Sequence, residues 1–418
     1  MLDVMRLRRD FPILSQKTGI GAAYAYLDNA ATTQKPLAVL ESMDQFYREK
    51  NANVHRAMHE LSERATVAYE DARKTVQHFV HAKHAEEIIF TKNATEAINL
   101  VARSWGHANL KTGDVIVLSL LEHHSNIVPW QQLAKERGCE IAWLEIDEAG
   151  TIEPAQMEKM LHTKHVKLVS LTGQSNVLGV RPDLMKLITL AKNAGAVTLV
   201  DAAQLVAHTA IDVQALGCDF LVFSGHKVFG PTGIGVLYGK KELLEAMPPF
   251  LGGGMMVQEV TTEGFIPADI PLRFEAGTPP AAEAFGLAAA ITWLKKWPLK
   301  QREEHEQTLL EHAAKRLREI DGLTLLGPLA NRDSRIMNHE SVSGCLSFVL
   351  EGIHAHDLTE ILGRQGICLR AGHHCAQPLH RRLGIQASSR LSVSLYNTAD
   401  EIDRAAEAIR AAKLRFTT

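Results

Sequence analysis

At 418 residues the chain exceeds what one hydrophobic core usually organises, so two domains are the natural expectation. Its 46% hydrophobic and 22% charged residues are those of an ordinary globular protein. A formal net charge of −3, from 45 basic against 48 acidic side chains with no long basic run, argues against nucleic acid or an anionic membrane surface as main partner. The opening residues lack an apolar core and carry acids early, which predicts no signal peptide, and no apolar run reaches membrane-spanning length. The cysteines (139, 218, 345, 368, 375) are odd in number, scattered and without a CxxC pair, which predicts a reducing, cytoplasmic setting and no disulfide framework. Four of them lie in or beside strand-like text, where a thiol serves as a small core residue.

From about residue 24 to 238, short apolar runs alternate with helix-like stretches. Strands are predicted at 87–91, 114–119, 166–171, 196–200, 220–224 and 234–238, with helices such as 94–104 and 182–193 between them. That order argues for a mostly parallel sheet with helices on both faces, an α/β architecture. A loop-rich passage follows at 251–280, then helices at 281–294 and about 303–320. A strand at 345–350 and a last helix at 399–413 make the remainder read as a smaller α+β domain. The expected division is a large domain over 21–285 and a small one built from 1–20 and 286–418. Residues 331–343 are polar and read as an exposed loop.

Polar groups cluster where these strands end. Asn93 followed by Glu96 fits a helix cap, while the free amides there and the Thr95 hydroxyl also suit a phosphate. After the 114–119 strand comes Glu122-His-His-Ser-Asn126, whose imidazoles suit a metal, a cap or the face of a ligand ring. Metal ranks lowest because no third ligand stands at metal spacing. Asn176 follows the next strand, and turn formation or a ligand contact both explain it.

Val197-Thr-Leu-Val-Asp-Ala-Ala-Gln204 and Phe220-Leu-Val-Phe-Ser-Gly-His-Lys227 deliver an aspartate and a lysine to neighbouring strand ends. Those are the two groups pyridoxal 5'-phosphate needs, the amine to join its aldehyde and the carboxylate to keep its pyridine nitrogen protonated. A surface lysine and a capping Asp are the bland alternative. Open α/β sheets bind ligands at such a carboxyl edge. Finally, Cys375 stands among Arg370, His373 and His374, with Arg390 beyond, in text read as strand then loop. Cationic or titratable neighbours favour thiolate, and an ordinary loop cysteine or a His/Cys metal site stays open on this local text.

The chain resembles the group II cysteine desulfurases (SufS/CsdA type) of the class V aminotransferase family of pyridoxal phosphate enzymes. The matching text is Leu27-Asp-Asn-Ala-Ala-Thr32, Asn53-Val-His-Arg56, Thr95-Glu96, Glu122-His-His124, Ser175-Asn-Val-Leu-Gly179 and Asp201-Ala-Ala-Gln204, then Ser224-Gly-His-Lys227 through Gly235, Arg273-Phe-Glu-Ala-Gly-Thr278, Arg370-Ala-Gly-His-His-Cys375 and Ser394-Leu-Tyr-Asn-Thr398. The resemblance runs over nearly the whole chain, and its last Cys-bearing segment separates this group from other class V enzymes. Two departures stand out. Gly173-Gln174 replace the His and apolar residue of many relatives, which alters the pocket wall near Asn176, and the 331–343 loop is longer.

The resemblance implies a fold type I homodimer with a seven-stranded large-domain sheet. It implies a cofactor phosphate held by Thr95, Ser224 and His226 and by Thr278 of the other subunit, with Asp201 on the pyridine nitrogen, Gln204 on the ring oxygen and His123 stacked on the ring. Arg390 with Asn176 and Arg370 would take the substrate carboxylate, Lys227 would be the base and Cys375 the persulfide carrier, with no metal. The implied reaction turns L-cysteine into L-alanine, with selenocysteine as a further substrate. Sulfur then passes to a SufE-type acceptor for iron–sulfur cluster assembly. The rival readings are a class V aminotransferase or other lyase without persulfide chemistry, a selenocysteine-specific lyase, and a non-enzymatic sulfur- or metal-holding scaffold.

Overall fold

The computed structural model describes residues 2–330 and 342–417. Its centre is a seven-stranded sheet in the order Ile88–Thr91, Gly235–Gly239, Phe220–Ser224, Val197–Asp201, Val166–Thr172, Val115–Ser119 and Glu140–Leu144. Six strands share one direction, and Gly235–Gly239 runs antiparallel to both of its neighbours.

The sheet is covered on both faces because each strand is apolar at successive positions. Ile88, Phe90, Val117, Val169, Val200, Leu221 and Phe223 join one core, with the helices Glu60–Val80 and Ala281–Leu294. Their neighbours Ile89, Ile116, Leu118, Leu168, Leu199, Phe220 and Val222 join another, with Ala94–Val101 and Val128–Arg137. Alternation with a period of two sends adjacent residues to opposite faces, and burial of each such side chain stabilises the fold by roughly 2 kcal/mol.

The expected strands and the helix 281–294 lie where the sequence places them, within a residue or two at each end. Several elements differ. The exposed hairpin Val257–Val260 with Phe265–Pro267 carries too little continuous apolar text to be read as strands, and the edge strand Glu140–Leu144, apolar from Ile141 to Leu144, was passed over. The helix expected near 303 begins at Leu299, directly after Pro298, where a proline suits a helix start.

A second, antiparallel sheet takes the order Leu323–Leu325, Cys345–Leu350, Ser388–Ser392 and Arg370–Gly372. Helices Leu299–Arg318 and Ala399–Thr417 pack with it around Leu310, Leu317, Phe348, Leu391 and Ile409, and Ala25 and Leu27 join this core from the beginning of the chain. Of the polar 331–343 segment, only Val342 and Ser343 fall among the described residues. No helix among the described residues is long and apolar enough to cross a membrane.

Candidate active site

Where the carboxyl edge of the large sheet meets the smaller sheet, a cleft of ≈ 220 Å³ opens. Thr95, His123, Asn176, Asp201, Gln204, Ser224, His226, Lys227, Arg370, Cys375 and Arg390 all line it. Thr278 does not. It is exposed in a separate recess beside Phe90 and Phe250.

Asp201 and Lys227 leave adjacent parallel strands, whose pairing sets Asp201 opposite Val222. Lys227 ends the tight turn Gly225–Lys227. Burial pushes its amine below the usual lysine range; Asp201 opposes that shift, and Arg390 and Arg370 add to it. Burial raises the Asp201 carboxyl, partly offset by the Ala203 N–H it accepts at 3.0 Å and by Lys227. That single donor leaves the carboxylate with acceptor capacity to spare.

The helix Ala94–Val101 starts at the cleft. Asn93 caps it by accepting the Glu96 N–H at 2.9 Å, and the Ala94 N–H reaches Ser224 Oγ at 2.9 Å, tying this terminus to the strand that leads to Lys227. The approach depends on Gly235, where a Cβ would lie 2.4 Å from Asn93 Cα. First-turn amides have no intrahelical acceptor, so this terminus favours an anion. Burial lowers His226 to about 4, which makes it a neutral ring at this wall.

His123 is likewise neutral, lowered to about 3 by burial with Lys227 second. Its Nδ1 accepts the Ser125 N–H at 3.1 Å, so the ring proton sits on Nε2. Beneath it Glu122 is fully buried, and burial lifts its carboxyl to about 8 although Ser119, Thr172 and Asn126 all donate to it.

The opposite wall comes from the smaller sheet. Arg370 and Arg390 face each other across paired strands, and like charges so placed repel unless an anion joins them. Arg390 is fully buried. Its Nη2 donates to Asp28 Oδ1 at 2.9 Å and its Nη1 to the Asn176 carbonyl at 2.8 Å, while its Nε has no partner among the described residues. Cys375 is exposed at the tip of a loop in which His374 and Cys375 take φ of 50° and 57°. Left-handed backbone at two successive non-glycine residues is strain of the kind that collects at functional sites. The loop is held by Asn176 Nδ2 donating to the His374 carbonyl at 2.7 Å and by the His124 N–H donating to the Cys375 carbonyl at 2.7 Å.

One expectation needs correction. His374 adds no positive charge beside the thiol, because burial together with Arg390 lowers it to about 2. The cations at this wall are Arg370 and Arg390. No three His, Cys, Asp or Glu side chains converge on a metal-sized site among the described residues.

Sequence reasoning missed several residues. Asp28 lay inside quoted text without a role, and Glu122 was passed over for the histidines beside it. Lys35 gave no signal at all. Its ammonium donates at 3.0 Å to the His226 carbonyl, which also accepts from Thr33 N and Thr32 Oγ1 at 3.1 Å each, and burial lowers it to about 7.

A protein called cysteine desulfurase from Synechococcus elongatus is 47% identical over 408 residues, 98% of this chain but 63% of that protein's length. A probable cysteine desulfurase from Halalkalibacterium halodurans is 45% identical over 415 residues, 99% of both chains. Among solved structures, the cysteine desulfurase CsdA from Escherichia coli superposes with a TM-score of 0.90 at 39% identity over 100% of both chains. The family model "Aminotransferase class-V" matches from residue 25 to residue 405, and with it the chain belongs to the class-V aminotransferase family.

Proposed function

We propose that the chain is a cysteine desulfurase that uses pyridoxal 5'-phosphate to turn L-cysteine into L-alanine and carries the sulfur as a persulfide on Cys375. The observation that carries the reading is the placement of Lys227 and Asp201 on adjoining strand ends with Cys375 on the facing wall of the same cleft. The names borne by relatives 45–47% identical support it.

The residues present fit the cofactor. Asp201 has unused acceptor capacity for a protonated pyridine nitrogen, Lys227 is an amine biased toward its neutral form, and Thr95, Ser224, His226 and the Ala94–Val101 terminus offer donors to a phosphate. Gln204 remains for the ring oxygen and His123 for the ring face. When bound, the cofactor draws off the electrons released as the substrate's Cα loses its proton.

The chain's own groups do the rest. Arg390, oriented by Asp28 and the Asn176 carbonyl, takes the substrate carboxylate with Arg370 across from it. Lys227 receives the Cα proton, and burial suits it to do so because it disfavours the ammonium. His123 holds a transferable proton at Nε2. Cys375 Sγ bonds to the substrate sulfur as the Cβ–S bond breaks, the electron pair stays with carbon, and a proton completes the methyl group of alanine.

The same proposal includes a homodimer in which Thr278 of each copy reaches the other's phosphate, and two domains divided near residue 285 around one cleft. It also includes activity on selenocysteine, a SufE-type sulfur acceptor serving iron–sulfur cluster assembly, and a cytoplasmic setting. Purified Cys375→Ala protein tests the core of the reading. It should keep the visible absorbance of bound cofactor and form no alanine from cysteine, whereas full desulfuration would remove the persulfide step and return the protein to a cysteine-independent lyase or aminotransferase.

A further inference from the structure

The turn that carries Asn176 is braced from behind by side chains with no part in the chemistry above. Gln174 is 1% exposed and lines the cleft, and its amide is engaged through both its oxygen and its nitrogen. Its Oε1 accepts from Ser343 Oγ at 2.8 Å and from Arg181 Nε at 3.1 Å, and its Nε2 donates to the Ser343 carbonyl at 3.1 Å. Arg181 Nη2 also donates to Ser343 Oγ at 2.6 Å. Gln174 and Arg181 stand at the two feet of the turn, which closes on itself through Ser175 N–H to the Val180 carbonyl at 2.9 Å.

Ser343 joins those feet to the other half of the cleft. It leads through Gly344 into the strand Cys345–Leu350, in which Ser347 pairs in register with Arg390. The passage is close. Gly344 has φ of +76°, and a Cβ there would lie 3.0 Å from Gln174 Nε2 and 2.6 Å from His208 Nε2. The turn also lies flat on this segment, since a Cβ on Gly179 would meet the Ser343 carbonyl at 2.7 Å.

We propose that Gln174 is a positioning residue. Through Ser343 and Arg181 it sets the spacing between the Asn176 turn and the strand beside Arg390, and so sets the grip on the substrate carboxylate. Asn176 bridges both sides of that grip, accepting from Arg390 through its carbonyl and holding the Cys375 loop through its amide. The inference rests on the desulfurase reading and deepens it.

The test uses holoenzyme. Gln174→Leu keeps an apolar side chain one atom shorter in the buried site and removes every polar contact, and Gln174→Glu keeps the acceptors for Arg181 and Ser343 Oγ. Gln174→Leu should raise KM for L-cysteine about tenfold with kcat within about twofold. It should also weaken L-alanine binding, read by perturbation of the cofactor absorbance, by a similar factor at unchanged cofactor content. Gln174→Glu should recover most of the loss. Ser343→Ala, which deletes one hydroxyl and spares the core, should move KM the same way, and the double variant should fall short of the product of the two singles.

KM and L-alanine affinity within twofold of wild type in both single variants, or a loss confined to kcat, would overturn the proposal while leaving the desulfurase reading intact. A wild-type protein that forms no alanine from cysteine would remove both.

Discussion

Arg390 shows how one residue is kept charged and ready in a place where charge is costly. It is 1% exposed, and its Asp28 partner lies on a segment 362 residues away in sequence. A buried guanidinium holds its position only while paired, and removing one partner of a buried pair typically costs about 3–5 kcal/mol. Asp28 is 22% exposed, so its loss should cost less in stability than that range. Asp28→Ala should lower the urea midpoint modestly and raise KM for L-cysteine about tenfold or more, because the guanidinium would keep only the Asn176 carbonyl and turn from the cleft. Unchanged KM would mean that Asp28 does not orient Arg390. The resemblance gave Arg390 its place on the substrate carboxylate, but nothing local pointed to Asp28, whose partner comes near only through the fold. The His374 expectation failed for the same kind of reason. Neighbouring letters show a titratable ring, while burial, which local text does not report, decides that it stays neutral.

At the scale of elements, apolar runs located most strands of the large sheet but not their directions. Gly235–Gly239 reads like its neighbours and runs opposite to them, because an apolar run has no polarity of its own. The motif Arg273-Phe-Glu-Ala-Gly-Thr278 was legible, and its structural use was not. Glu275 receives Arg73 Nη1 and Nη2 at 2.7 and 2.9 Å, the Phe90 N–H at 2.7 Å and the Tyr69 hydroxyl at 2.8 Å. It thereby bolts the loop before Thr278 to the helix Glu60–Val80 and the edge strand Ile88–Thr91. Arg73 is 1% exposed between the Tyr69 and Phe90 rings, so loss of its bidentate partner leaves a buried guanidinium with only the partly exposed Glu70 carboxylate, 3.0 Å from its Nε, to balance it. Glu275→Ala should therefore cost about 3–5 kcal/mol in urea unfolding, and Glu275→Ala with Arg73→Met should cost clearly less than the two single changes summed. Additive losses would show that the two side chains act independently.

At the scale of the molecule, the large and the smaller sheet meet at a cleft walled by ionisable groups held in the forms that burial favours, and this sets how the protein answers to acid. His123 at about 3, His226 at about 4 and His374 at about 2 all titrate below their unfolded value of 6.5. Burial lowers His305 and His380 as well. Glu122, raised from 4.5 to about 8, and Asp201, raised from 3.8, act in the opposite sense, since the folded state keeps their protons longer than the unfolded chain does. Between pH 6.5 and 4.5 the unfolded chain thus takes up protons on six histidines, His124 included, that the folded protein resists, against at most two carboxyls that it favours. Stability rises with pH wherever the unfolded state binds more protons, so it must fall on acidification through this window. The expected slope, after allowance for partial exposure, is roughly 1–2 kcal/mol per pH unit in urea unfolding of cofactor-free protein. Glu122→Gln should steepen that slope, because it removes a group that opposes the loss. A stability that is level from pH 6.5 to 4.5 would mean that these imidazoles are not held neutral in the folded protein, and the neutral His123 proposed for the cleft would fall with them.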